Sequence, residues 1–348
     1  MLIFLAQQSE NFEIVVDQDE YEIAAINKTV VAWYAGERAC VSTSGGGFAL
    51  MEEGVSLAAM LETPAVIHIA MRPGPATGLP TRTGQEDLNL ALYAGHGEFA
   101  RIIFAPGTIE QAFYLAQQAM NLADFYQIPI FILTDQYFVD SYYNVEGLDL
   151  SEIKNEYRFV ETAEDYKRYK LTENGISPRG VPGFGKGLVR VDSDEHDEWG
   201  HITENLNLIR PEMVKKRYHK RMQLIQDVAQ QPSIIGSHNP KAYIVCWGSN
   251  YQVVKEAVEN LEIPGLAMMH FHQVYPLPKN IKSEFNKIKK VAILENNASG
   301  QFANVLKLYA DFEILAENRL LKYSGEPFSV EEVEEFLIQQ FRNQGGKL

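Results

Sequence analysis

Short apolar runs alternate along this chain with helix-length amphipathic segments, and this alternation constrains the fold more than any other feature. The runs at 39–41, 65–70, 102–104 and 130–134 are too short for buried helices and rich in β-branched residues, so they read as strands. Between them, 20–34, 48–61 and 109–126 carry apolar residues at helical spacing, with Ile23, Ile26, Val30 and Trp33 on the first. A further short strand is expected at 13–16. Strands separated by single helices give a parallel, doubly wound sheet. The rhythm fails over 150–210, a Gly-, Pro- and Tyr-rich excursion, and resumes after a charged helical segment near 211–240. Strands at 242–247, 265–271 and 291–295 and helices at 251–261 and 301–309 then make a second α/β unit. The reading is two domains, 1–210 and 241–348, joined by a helical linker at 211–240. A chain of 348 residues is comfortable as two domains.

Composition narrows the function. Lys and Arg total 31 against 46 Asp and Glu, and a net charge of -15 disfavours nucleic acid and anionic membranes as partners. No apolar run reaches the ~20 residues of a membrane span, and the opening Met1-Leu2-Ile3-Phe4-Leu5-Ala6 lacks the basic start of a signal peptide. Two distant cysteines, Cys40 and Cys246, suit a cytoplasmic protein. They fall short of the four thiolates that an iron–sulfur cluster usually needs.

Three segments have the composition of a site. Glu22 stands at the start of an otherwise apolar helix. It is either an ordinary first-turn acid favoured by the helix dipole or a half-buried carboxyl that exchanges a proton with a ligand. Thr43-Ser44-Gly45-Gly46-Gly47 leads from a strand into a helix. It is either a tight turn or a backbone cradle, and no Lys follows to make it a nucleotide P-loop. The loop Arg72-Pro73-Gly74-Pro75-Ala76-Thr77-Gly78-Leu79-Pro80-Thr81-Arg82-Thr83 follows a buried strand, at the edge where open α/β sheets bind ligands. Its prolines stiffen it, and Arg72 and Arg82 suit carboxylates. Asp192, Asp194, His196 and Asp197 match no metal-site spacing and read as a solvated acidic loop, so no metal site is assigned. His270 and His272 are expected on opposite faces of a strand, unable to share an ion. No Ser/His/Asp or Cys/His arrangement is indicated.

Taken in order, these segments resemble the alpha subunit of 2-oxoacid:ferredoxin oxidoreductases of the 2-oxoglutarate type. The resemblance also rests on His96-Gly97-Glu98, Thr134-Asp135-Gln136-Tyr137, Ser177-Pro178-Arg179, Trp247-Gly248-Ser249, Tyr275-Pro276-Leu277-Pro278 and Glu295-Asn296-Asn297-Ala298-Ser299-Gly300-Gln301. It implies a thiamine-diphosphate pyrimidine-binding domain followed by a transketolase C-terminal-like domain. It further implies coenzyme-A-dependent oxidative decarboxylation of a 2-oxoacid, with 2-oxoglutarate favoured and electrons leaving to ferredoxin. By the same resemblance Glu22 contacts the aminopyrimidine, and Thr43, Ser44, Gly45 and Gly46 approach that ring. Arg72 faces the substrate carboxylate, and Thr77 lines its pocket. The resemblance also implies a beta subunit that anchors the diphosphate with Mg2+ and carries an iron–sulfur cluster, and gamma or delta subunits beside it. Few residues precede Glu22, so the family's leading Tyr-Pro-Ile-Thr-Pro strand is expected to be lacking, through truncation or because a partner supplies it. A non-catalytic assembly subunit that kept the fold is the alternative. A self-contained transketolase-type enzyme would need a third domain.

Overall fold

The computed structural model describes residues 2–151 and 153–342. Residues 1, 152 and 343–348, which fall within the spans assigned above, lie outside the described residues. The first sheet contains β1 (Cys40–Ser44), β2 (Ala65–Met71), β3 (Ile102–Phe104) and β4 (Pro129–Asp135), parallel and in the spatial order β1-β2-β4-β3. β2 reads Ala-Val-Ile-His-Ile-Ala-Met and is almost wholly buried, as expected for a parallel strand covered on both faces. The helix Ile109–Tyr126 returns the chain from β3 to β4. Thr108 caps its start by accepting from the Gln111 N–H at 3.1 Å, and left-handed Gln127 ends it.

The excursion holds two short parallel strands, β5 (Phe159–Thr162) and β6 (Arg179–Gly185), and is tied to the first sheet's helices. Arg179 donates to buried Asp124 at 2.7 Å and to the Trp33 carbonyl at 2.9 Å. Buried His196 stacks on Tyr169 with ring centroids 3.7 Å apart, while Asp197 accepts from the backbone N–H groups of Trp199 and His201.

β7 (Ser233–Gly236), β8 (Ala242–Trp247), β9 (Leu266–Phe271), β11 (Lys290–Glu295) and β12 (Arg319–Leu321) form the second sheet, in the order β12-β11-β8-β9-β7. β10 (Gln273–Tyr275) leaves it and pairs antiparallel with β3 of the first. Each parallel sheet thus has one antiparallel edge strand, β10 or β7. Only His272 separates β9 from β10, too little chain for a helical crossover, so the chain bends across to the other sheet. One apolar core runs through both units, from Val41, Phe48 and Phe131 to Trp247, Phe271 and Phe302.

Four expectations change. Residues 13–16 form no strand: Val15 is 97% exposed and no neighbouring strand takes up the backbone bonds. The helix expected at 48–61 is two helices, Gly45–Phe48 and Glu52–Met60, because the glycines start a short turn that breaks before buried Met51. Within 211–240 the helix ends at Asp227, and apolar Ile234 and Ile235 join β7 on the free side of β9. His270 and His272, two residues apart, lie on one face with rings stacked at 6.3 Å, as period-two alternation requires. Their Nε2 atoms bond the Gly248 carbonyl and Gln230.

Candidate active site at the ends of two parallel strands

β1 and β2 run in register, with Ser44 beside Ala70. The chain therefore leaves both strands at adjacent carboxyl ends, passing into Gly45 from one and Arg72 from the other. In an open α/β sheet this is where ligands sit.

The helix Glu22–Tyr34 brings a carboxyl to the same place. It buries Ile26, Thr29, Val30 and Trp33, and it lies so close to the helix Glu52–Met60 that a Cβ on Gly54 would come within 2.5 Å of Ile26. Glu22 is one turn before Ile26 on that inward stripe, so periodicity turns it toward the sheet. It is half-buried. A Cβ on Gly47 would fall 2.4 Å from Glu22 Oε1 and 2.2 Å from Thr43 Oγ1. The carboxyl of Glu22 and the hydroxyl of Thr43 thus rest on the bare face of Gly47.

Gly45 is bare for a matching reason. A Cβ there would fall 2.3 Å from an oxygen of Asp87. Gly46, between them, is exposed and would meet only the Ala76 carbonyl, at 3.7 Å. The three glycines therefore sit between two carboxyl groups, with the middle one facing open space below the loop. Asp87 is pushed up to about 6, first by burial and then by the charge of Glu86. The Arg72 backbone N–H and guanidinium oppose the shift. Asp87 Oδ2 and Arg72 Nε are both buried without a hydrogen-bond partner.

The stiff loop is folded on itself. Gly78 is left-handed, with the Pro73 carbonyl where a Cβ would stand, and the Leu79 N–H donates to that carbonyl at 3.0 Å. The Gly74 N–H donates to Glu86 at 2.8 Å. Thr77, Thr81 and Arg82 are exposed on its outer turn, and Thr83 is buried, accepting from the Tyr137 N–H at 3.3 Å.

The structure thus brings Glu22, Thr43, Ser44, Gly45, Gly46 and Arg72 to one hollow and sets Thr77 on the rim of the loop above it. Sequence reasoning missed Asp87 and the part played by Gly47. An acidic residue directly after a Pro/Gly loop was the available signal for Asp87. For Gly47 there was none, since its role depends on Glu22 in another element.

Among the described residues no helix is long and apolar enough to cross a membrane. Residues 1–215 match the family model described as pyruvate flavodoxin/ferredoxin oxidoreductase, thiamine diP-binding. The chain is 38% identical over 337 residues to the 2-oxoacid:ferredoxin oxidoreductase 1 alpha subunit of Sulfurisphaera tokodaii, covering 95% of this chain and 53% of that one. It is 31% identical over 328 residues to the 2-oxoglutarate synthase subunit KorA of Methanocaldococcus jannaschii, covering 92% of this chain and 86% of that one. The solved 2-oxoglutarate:ferredoxin oxidoreductase of Magnetococcus marinus, with 2-oxoglutarate, coenzyme A and succinyl-CoA bound, superposes with a TM-score of 0.89 at 27% identity. That match covers 98% of this chain and 59% of the other. The chain spans about half the length of the first of these relatives. With a family model covering more than half of it and a relative matched over most of both lengths, the chain belongs to the alpha-subunit family of 2-oxoacid:ferredoxin oxidoreductases.

Proposed function

We propose that this chain is the pyrimidine-holding half of a thiamine-diphosphate site that decarboxylates a 2-oxoacid, 2-oxoglutarate in the favoured case, and passes the acyl group to coenzyme A and electrons to ferredoxin. The observation that carries the proposal is the carboxyl of Glu22 resting, with the Thr43 hydroxyl, on bare Gly47 beside the Arg72-bearing strand end. The residues suit the cofactor. Glu22 offers a carboxyl to a ring nitrogen, and Thr43, Ser44, Gly45 and Gly46 leave room for a flat ring near the backbone. When bound, thiamine diphosphate supplies a nucleophilic carbon and an electron sink for loss of CO2.

The chain's own residues have narrower tasks. Glu22 holds and moves a proton at the pyrimidine nitrogen. Arg72, with Nε unpartnered, grips the oxoacid carboxylate, and Thr77 closes the pocket from the loop. These 348 residues hold two cysteines, and Cys246 is fully buried with its thiol pushed up, so they offer no set of thiolates for an iron–sulfur cluster. A beta subunit would add such a cluster and the Mg2+ and diphosphate site, with gamma or delta subunits beside it.

The test is co-production with the beta-type subunit. The purified complex should reduce a viologen dye only when thiamine diphosphate, coenzyme A and a 2-oxoacid are all present. A panel of 2-oxoglutarate, pyruvate and branched-chain oxoacids identifies the substrate, and no reduction with any of them defeats the proposal.

Two variants probe the hollow. Gly47→Ala forces the Glu22 carboxyl and Thr43 hydroxyl aside, and a displacement of about 1 Å costs about 10²-fold in kcat/KM. Steady-state assays of the complex check this, and unchanged kinetics would remove Gly47 from the account. Asp87 gains charge as the pH rises through about 6. Its anion then repels the anionic oxoacid beside Arg72, so KM is expected to rise several-fold from about pH 5 to about pH 7. Asp87→Asn, uncharged throughout, should flatten that step. A step of unchanged size in the variant assigns it to another group.

A further inference from the structure

The second sheet reverses its winding between β8 and β11. From β8 the sheet continues through β9 on one side, while β11 and β12 lie on the other. At such a switch point the carboxyl ends of the two strands leave a crevice, the usual ligand position in an open α/β sheet. β8 ends at Trp247 and runs into Gly248–Asn250; β11 ends at Glu295 and runs into 296–300.

The crevice is filled by a side chain of the first unit. Gln85, with 0% exposure, donates from Nε2 to the Trp247 carbonyl at 2.9 Å. Its Oε1 accepts from Asn250 Nδ2 and from the Asn296 N–H, each at 3.0 Å. Its backbone N–H donates to the Asn296 carbonyl at 2.7 Å, and its backbone carbonyl accepts from Asn297 Nδ2 at 3.1 Å. Gly248 is left-handed, and a Cβ there would come 3.0 Å from Gln85 Nε2. Gln301 extends the grip, donating to the Glu86 carbonyl at 2.7 Å and accepting from the Asn89 N–H at 2.8 Å. Asp87 stands between the two residues that Gln301 holds.

We propose that this crevice is a socket for the chain's own loop, and that Gln85 is a positioning residue that fixes where the Arg72-bearing loop and Asp87 stand. The second unit then acts on the site by holding the loop, with the place of a ligand taken by a glutamine amide. The effect on turnover rests on the function proposed above, whereas the effect on the loop does not.

Hydrogen exchange of the complex, read by mass spectrometry, separates the two. Gln85→Ala and Asn250→Ala should speed exchange across 73–83 by about tenfold or more, as expected for losing a buried hydrogen bond or two, and hasten tryptic cleavage after Arg82. Exchange in 102–104 and 242–247 should stay as in the parent. With the oxoacid as substrate, KM should rise about tenfold while kcat changes less, and binding of thiamine diphosphate should hold. Unchanged loop exchange in both variants, or a rise spread evenly over both sheets, overturns the socket. A loosened loop with unchanged KM overturns the positioning role. A loosened loop in a complex whose parent shows no turnover leaves the socket standing and defeats only the functional reading.

Discussion

Glu22→Gln is expected to lower oxoacid turnover of the reconstituted complex by about 10²–10⁴-fold, the usual worth of one positioned acid–base group. The amide keeps the size and shape of the side chain, so it still rests on Gly47 beside the Thr43 hydroxyl. It has no proton to trade with a ring nitrogen. The competing role for Glu22 is that of an ordinary first-turn acid, and magnitudes separate the two. A helix-dipole contribution is about 0.3–1 kcal/mol of stability, is screened by salt and has no direct effect on rate. The proton-carrying role predicts a collapse of kcat with a thermal transition close to that of the parent and thiamine-diphosphate affinity within a few-fold. If Glu22→Gln keeps more than about a tenth of parental kcat, the carboxyl is not the proton carrier and the half-buried position has another cause.

How far this site was legible in the sequence depends on the range of the interactions that make it. The strand Ala242–Trp247 and the helices Ile109–Tyr126 and Tyr251–Leu261 follow from local apolar periodicity, and the sequence reading places them as observed. The segment 13–16 has the local composition of a strand, but a strand exists only where another backbone completes its bonds. β10 is the converse: its three residues carry little local signal, and pairing with distant β3 makes them a strand. The hollow shows the same split. Glu22 and the glycine triplet stand out as residue types, and the strand-end loop is conspicuous by its prolines and arginines. That Gly45 and Gly47 must be bare because Asp87 and Glu22 lean on them is a tertiary fact. The same holds for Trp247-Gly248-Ser249 and the 295–301 segment. As motifs they signal ancestry, and only the fold shows that they surround Gln85.

Glu62→Gln is expected to destabilise the fold by about 3–5 kcal/mol, because it leaves buried cations without their counter-charge. Glu62 follows the C-cap Leu61 of the helix Glu52–Met60, is left-handed and is fully buried. Lys216 donates to its two carboxylate oxygens at 2.7 and 2.8 Å, and Arg221 donates to one of them. Arg168 donates to its backbone carbonyl at 2.6 Å. Lys216 and Arg221 are five residues apart, which would point them in different directions on an α-helix. They converge because Lys215–Lys220 is a π-helical turn, whose bonds span five residues. The cluster holds one carboxylate against several cations, so the surplus is positive. Burial alone would raise Glu62, but Arg221, Lys216 and Arg168 outweigh it and hold the carboxyl below the usual range. Lys216 gives way instead, pushed down to about 7 by burial, with Glu62 resisting and Arg221 adding to the push. Lys216→Met is therefore expected to cost less than Glu62→Gln, since Arg221 still faces the carboxylate and Arg168 the Glu62 carbonyl. The pH dependence has a definite sign. The unfolded chain keeps the Lys216 proton up to about pH 10. The folded parent releases it near 7, and the folded Glu62→Gln protein at lower pH, because the anion that favoured the ammonium is gone. In the acid range the variant must bury a bare ammonium. As the pH rises to 7 both folded proteins shed that proton, so the stability gap narrows. Denaturant midpoints at about pH 5.5 and about pH 7.5, with slopes matched to the parent, measure both effects. A loss under about 1 kcal/mol at either pH would mean that the fold does not need this carboxylate to hold the π-turn against the first sheet.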